Sequence, residues 1–86
     1  MQTDARRRDA AKAIECLTAR ELEVLRGIVR GDSNKSIGRA LGISPRTAEI
    51  HRANIRRKLS AASTADLIRI GLYAGIYDTE ARAQSD

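Results

Sequence analysis

The chain has 86 residues and a formal net charge of +5, with 16 Lys and Arg against 11 Asp and Glu, a length that allows one domain with a modest core. No Phe or Trp is present and only Tyr73 and Tyr77 are aromatic, which argues against single-strand binding by base stacking and against RRM-like RNA modules. The lone Cys16 cannot form an internal disulfide, and the lone His51 cannot build a metal site by itself.

Residues 1–16 mix Arg6, Arg7, Arg8 and Lys12 with Asp4, Asp9 and Glu15, and their apolar positions are mostly alanine. Alanine anchors little, so the stretch reads as a linker or a partly helical leader. Its arginine run could touch phosphates, but a solvated linker is the simpler reading. No apolar run approaches the ~18 residues of a membrane span. No apolar segment follows the N-terminal arginines, as a secretory signal requires. A reduced cytoplasm is the simplest compartment.

The first predicted helix starts at Thr18. Thr18-x-x-Glu21 is a capping box, and Leu17 can pack on Leu22 as a hydrophobic staple. Leu22, Val24, Leu25, Ile28 and Val29 form an apolar stripe at helical spacing, and Gly31 supplies the stop. The second predicted helix follows Ser33 as N-cap, with Ile37, Ala40 and Leu41 facing inward. Gly42 is the expected left-handed terminator, and Ile43 then drops into the core.

The third predicted helix, residues 45–59, begins at Ser44-Pro45, with Pro at N1 where its missing N–H costs nothing. It carries Arg46, Arg52, Arg56, Arg57 and Lys58 against Glu49 alone, a net of +4 out of the chain's +5. Ala48, Ile55 and Leu59 define its buried face, beside the aliphatic part of Arg52. At about 100° per residue, Arg46, Glu49, Ile50, Ala53, Asn54 and Arg57 point the other way. An ordinary solvated face would rarely expose Ile50 and Ala53 together. A short helix, a tight Gly-containing turn and a basic helix suggest a helix-turn-helix that binds nucleic acid.

The fourth predicted helix is capped by Ser63, with Asp66 completing a box-like S-x-x-D, and stops at Gly75. Its apolar residues point in too many directions for one core stripe. Ile68, Gly71 and Leu72 are expected to pack inward, which leaves Leu67, Ile70 and Ala74 on a free side. Residues 79–86 read as a disordered tail. Ser, His and Asp fall in caps and on the basic helix, without a clustered acid, base and nucleophile, so an enzyme is not expected and no cofactor is implied. The fold class is all-α, a four-helix bundle containing a helix-turn-helix.

LTARELEVL, NKSIGRALGIS and RTAEIHRANIRRKL together resemble the LuxR-type (GerE-like) helix-turn-helix domain over residues 17–78. SPRTAEIHRANI is most similar to the FixJ-like branch of two-component response regulators. The departures are Ala48 where Val is usual, Gly38 where Ala is usual, and Gly71 where a larger helix former is common; each glycine could cost a helix up to ~1 kcal/mol. The resemblance implies a DNA-binding transcriptional regulator whose third helix enters the major groove of double-stranded DNA. It implies phosphate contacts near Ser44, Pro45, Arg46 and Thr47, with Asn34 and Lys35 close to the backbone and Arg57 adding charge. It puts base contacts at Glu49, Ile50 and Ala53, with Asn54 on the same face. It also implies a homodimer on DNA through the fourth helix, at Leu67, Ile70 and Ala74, and makes RNA polymerase a candidate partner. Residues 1–16 then look like the end of an interdomain linker after a receiver domain. A free-standing small regulator and a helical protein-interaction module on the same fold are the alternatives.

Overall fold

Thr18, Ser33, Ser44 and Ser63 each stand in extended backbone and open a helix. Each side-chain oxygen accepts from the backbone N–H three residues on, at 3.1, 3.1, 3.0 and 3.2 Å. These bonds satisfy donors that a helix N-terminus otherwise leaves orphaned. The computed structural model describes residues 2–76, with side chains from residue 5 onward. Its helices are α1 Gln2–Ile14, α2 Ala19–Arg30, α3 Asn34–Leu41, α4 Pro45–Lys58 and α5 Thr64–Tyr73. Gly31 at φ 92° and Gly42 at φ 70° end α2 and α3 in the left-handed region. Asp66 departs slightly from the expected box: its carboxylate accepts from the N–H of Ala62 at 3.0 Å, one residue before the cap. The predicted tail, residues 79–86, and the last two residues of the predicted domain lie outside the described residues.

The core joins Val24, Leu25 and Ile28 of α2 to Ile37 of α3, to Ala48 and Ile55 of α4 with Leu59 at its C-terminal end, and to Leu67 of α5. α3 packs on α4, α2 lies against both α4 and α5, and α1 lies on α5. The leader therefore adds a fifth helix to the four predicted. Its alanines allow close approach: Ala10 is buried, and Ala13 and Ile14 pack against the core. No helix among the described residues is long and apolar enough to cross a membrane.

Five expected facings are corrected, two inward and three outward. Ala40 is exposed, and Gly38 is buried in its place. Leu67, expected on the free side of the last helix, is fully buried, whereas Leu72, expected inward, is 44% exposed. Ile70 and Ala74 are half-buried rather than free, and Ile70 packs against the core. The reason lies at Gly71, where an added Cβ would meet Val29 Cγ2 at 2.6 Å. α5 approaches α2 closely there, so Leu67, one turn earlier on the same face, goes inward with it. Gly38 is a second close approach: its Cβ would lie 2.6 Å from the carbonyl oxygen of Ile43 in the turn. Both glycines, read in the sequence as a loss of helix propensity, stand where a side chain has no room.

Candidate nucleic-acid interface

Ser33 and Gly42 bound α3, and Ser44 with Pro45 starts α4 two residues after Gly42. The short connection holds α3 and α4 as one unit around Ile37, Ala48 and Ile55. The N-terminus of α4 is exposed at Ser44, Pro45 and Arg46, where its free N–H groups and dipole favour an anion. Thr47 is half-buried, and its hydroxyl lies 2.9 Å from that of Ser44. Glu49, Ile50, Ala53 and Arg57 are exposed on the outer face; Asn54 is half-buried and accepts from Arg57 at 3.2 Å. Ile50 at 47% exposure is a large apolar side chain left outside the core. Lys35 is exposed and Asn34 half-buried at the start of α3. Asn34 Oδ1 and His51 Nδ1 are buried and make no hydrogen bond with the described residues.

The positive charge of α4 divides into two groups. Arg52 donates to the Thr64 hydroxyl at 3.0 Å, and Arg56 donates to the Ala62 carbonyl at 2.6 Å. Lys58 Nζ lies 2.8 Å from Glu21 Oε1. These three cations fasten α4 to the start of α5 and to α2. Arg46 and Arg57 stay with the outer face, where Arg46 pairs with Glu49 at 2.7 Å. The sequence shows how many cations α4 carries; their division depends on partners far along the chain, Glu21 above all.

Glu21 is the buried charged residue of the core. Burial pushes its carboxyl up, but the Lys58 ammonium and the hydrogen bonds from Thr18 outweigh this and hold it below the ordinary carboxylate range. Sequence reading finds the capping half of this arrangement and misses the Lys58 half. Among the described residues, no group of three or more His, Cys, Asp or Glu is placed to hold a metal ion.

Residues 15–70 match the profile of the bacterial regulatory proteins of the luxR family. The transcriptional regulatory protein FixJ of Azorhizobium caulinodans is 48% identical over 75 residues, which cover 87% of this chain and 35% of that protein. The transcriptional regulatory protein MctR of Rhizobium johnstonii is 52% identical over 60 residues, covering 70% and 28%. The crystal structure of full-length FixJ from B. japonicum matches with a TM-score of 0.77 at 40% identity, covering 87% of this chain and 37% of that one. The chain thus spans about a third of the length of these relatives. With the all-helical fold and the exposed α4 face already described, a family match over most of the chain makes this protein a member of the luxR family of bacterial regulatory proteins.

Proposed function

We propose that the chain is the DNA-binding effector unit of a two-component response regulator and reads double-stranded DNA sequence-specifically. The observation that carries this reading is the outer face of α4. Ile50, Ala53 and Glu49 are left exposed there beside Arg46 and Arg57, while the other cations of the helix are committed to the fold. A solvated face gains nothing from an exposed Ile, whereas a thymine methyl can use it, and Glu can accept from cytosine N4. Phosphates then meet the N-terminus of α4 and the side chains of Lys35, Arg46 and Thr47. The response-regulator part of the reading rests on similarity to the response regulator protein TodT of Pseudomonas putida, 43% identical over 56 residues, and the cytoplasm is the compartment it implies.

Pairing on a two-fold site would run through α5, where Leu72 is the exposed large apolar residue. So small a patch falls well short of the ~1,200 Å² of a stable interface. DNA would supply the effective concentration the contact lacks. RNA polymerase is the partner such a complex would engage at a promoter. The test is selection from a randomised duplex library, followed by titration of the selected site at several salt concentrations. Enrichment of a two-fold sequence with steep salt dependence is expected. An unenriched library would overturn sequence-specific reading, and retention that ignores salt would overturn DNA binding.

A further inference from the structure

Arg46 and Arg57 stand near the two ends of α4, exposed on its outer face, and Glu49, Ile50 and Ala53 occupy the middle. At 1.5 Å per residue the two arginines are about 16 Å apart along the axis. That exceeds the ~12 Å width of the major groove. With the helix in the groove they reach the phosphates at its walls, and the middle of the face lies over the base edges.

The chemistry of that middle is one-sided. Purines are read by pairs of bonds: guanine by a cation that donates twice, adenine by an amide that donates and accepts together. Glu49 only accepts, and the side chains of Ile50 and Ala53 do neither. The neighbouring amide, Asn54, is half-buried, and its Oδ1 accepts from Arg57 at 3.2 Å, which takes up the donor-and-acceptor pair that adenine needs. His51 is half-buried with its Nδ1 out of solvent, and Arg52 donates to Thr64. What remains matches pyrimidines: a carboxylate accepts from cytosine N4, and an apolar side chain meets the methyl group of thymine. Ile50, at 47% exposure, is the larger of the two apolar groups. Helix neighbours three and four residues apart have Cβ atoms roughly 5–6 Å from one another. At ~3.4 Å per base step the three side chains therefore cover two or three adjacent base pairs.

We propose that α4 reads pyrimidines alone: Ile50 and Ala53 recognise thymine by its methyl group, Glu49 recognises cytosine by its N4 amino group, and the purine edges go unread. This rests on sequence-specific binding through α4 as proposed above and adds the kind of site that is read. Each thymine is then distinguished by a single methyl contact. The burial of one such group is worth roughly fourfold in affinity.

The test uses the full chain and the duplex enriched from a randomised library, with single bases replaced. Uracil in place of thymine removes the methyl group and keeps the pairing. The 7-deaza forms of guanine and adenine remove the N7 acceptor and keep the pairing. Uracil should weaken binding about fourfold at the thymine that meets Ile50. In Ile50→Ala, a change at an exposed position, the same uracil should cost nothing further, because the contact is already gone. Deaza purines at the same base pairs and their neighbours should leave affinity unchanged. A loss with either deaza purine there overturns the proposal and makes Arg46 or Arg57 a purine reader. Indifference to uracil at every thymine overturns it too, as does a uracil loss that Ile50→Ala leaves intact at every position. In each of these cases the enriched duplex is still bound, so sequence-specific binding stands. A library that yields no enriched duplex sinks both.

Discussion

Lys58 Nζ and Thr18 N–H meet on one atom, Glu21 Oε1, at 2.8 and 2.9 Å. The last turn of α4 is thereby fixed to the first turn of α2 by a carboxylate that is 4% exposed. Lys58→Ala leaves that buried charge with its cap contacts alone. A loss of about 1–3 kcal/mol is expected, a range typical of stranding a buried polar partner. For a domain of this size each kcal/mol lowers Tm by roughly 4–8 °C. Urea unfolding of Lys58→Ala, Glu21→Gln and the double variant gives the coupling energy, which should be clearly non-zero. Additive effects would mean the pair contributes nothing.

The same carboxyl predicts an acid response. Its folded pKa lies below the ordinary value because the Lys58 and Thr18 contacts outweigh its burial. Its stabilisation is therefore complete above the unfolded value of ~4.3 and is lost as pH falls through the lower folded value. Asp66 is shifted in the same direction, chiefly by the Ala62 N–H and by Arg69. Unfolding free energy should fall with acidification below about pH 5, and Glu21→Gln should flatten part of that slope, with Asp66 keeping the remainder. An unchanged slope in Glu21→Gln would remove Glu21 from the account.

Gly38 and Gly71 set two close approaches, and the expectation runs against helix propensity. Alanine in a helix interior is favoured over glycine by about 1 kcal/mol. At Gly38 the new Cβ would meet the Ile43 carbonyl oxygen at 2.6 Å, backbone that cannot rotate aside. Gly38→Ala should destabilise by about 1–3 kcal/mol, the usual cost of overpacking. Gly71→Ala meets the Val29 side chain instead, so Val29→Ala should rescue it. A chemical-denaturation series decides; a more stable Gly38→Ala would show that the turn opens at no cost.

These glycines also mark where sequence reading stops. The helix starts at Thr18, Ser33, Ser44 and Ser63 were legible because a cap is a contact over three residues. The outer face of α4 was legible because 100° per residue is enough to sort Glu49 and Ile50 from Ala48 and Ile55. The rotation of α5 was not, because Leu67, Ile68, Ile70 and Leu72 surround the helix and only Gly71 against Val29 selects a face. The docking of α1 was hidden because alanine carries little periodic signal, although its small size is what admits Ala10 to the contact.

The division of charge over α3 and α4 predicts two kinds of cation. Lys35 and Arg46 lie exposed on the presumed DNA side, whereas Arg52 and Arg56 are bonded to Thr64 and Ala62. Lys35→Ala and Arg46→Ala should each reduce the salt slope of DNA binding by about 1, equally on specific and random duplex. Arg52→Ala and Arg56→Ala should lower the unfolding midpoint and leave the slope unchanged. A slope change in Arg52→Ala, or a loss confined to one base pair in Arg46→Ala, would reverse these assignments.

Glu49 poses the sharpest question on that face. An acid beside phosphates costs affinity, yet it stands exposed where bases are expected, with Arg46 at 2.7 Å. Both partners are more than half exposed, so the pair is worth little in water, at most about 1 kcal/mol, and opens cheaply. On DNA, Arg46 can turn to phosphate while Glu49 accepts from a cytosine N4. Glu49→Ala should relax preference at one base pair by about 1–3 kcal/mol. It should also free Arg46 and remove a like charge, so binding to random duplex should hold or rise. That rise should shrink when Arg46→Ala is added, because only the removal of the like charge is then left. The measurement is a competition between the selected site and every single-base variant of it, run with Glu49→Ala, Arg46→Ala and the double variant. If Glu49→Ala keeps the full preference at every position, the carboxylate reads no base, and its role is to hold Arg46.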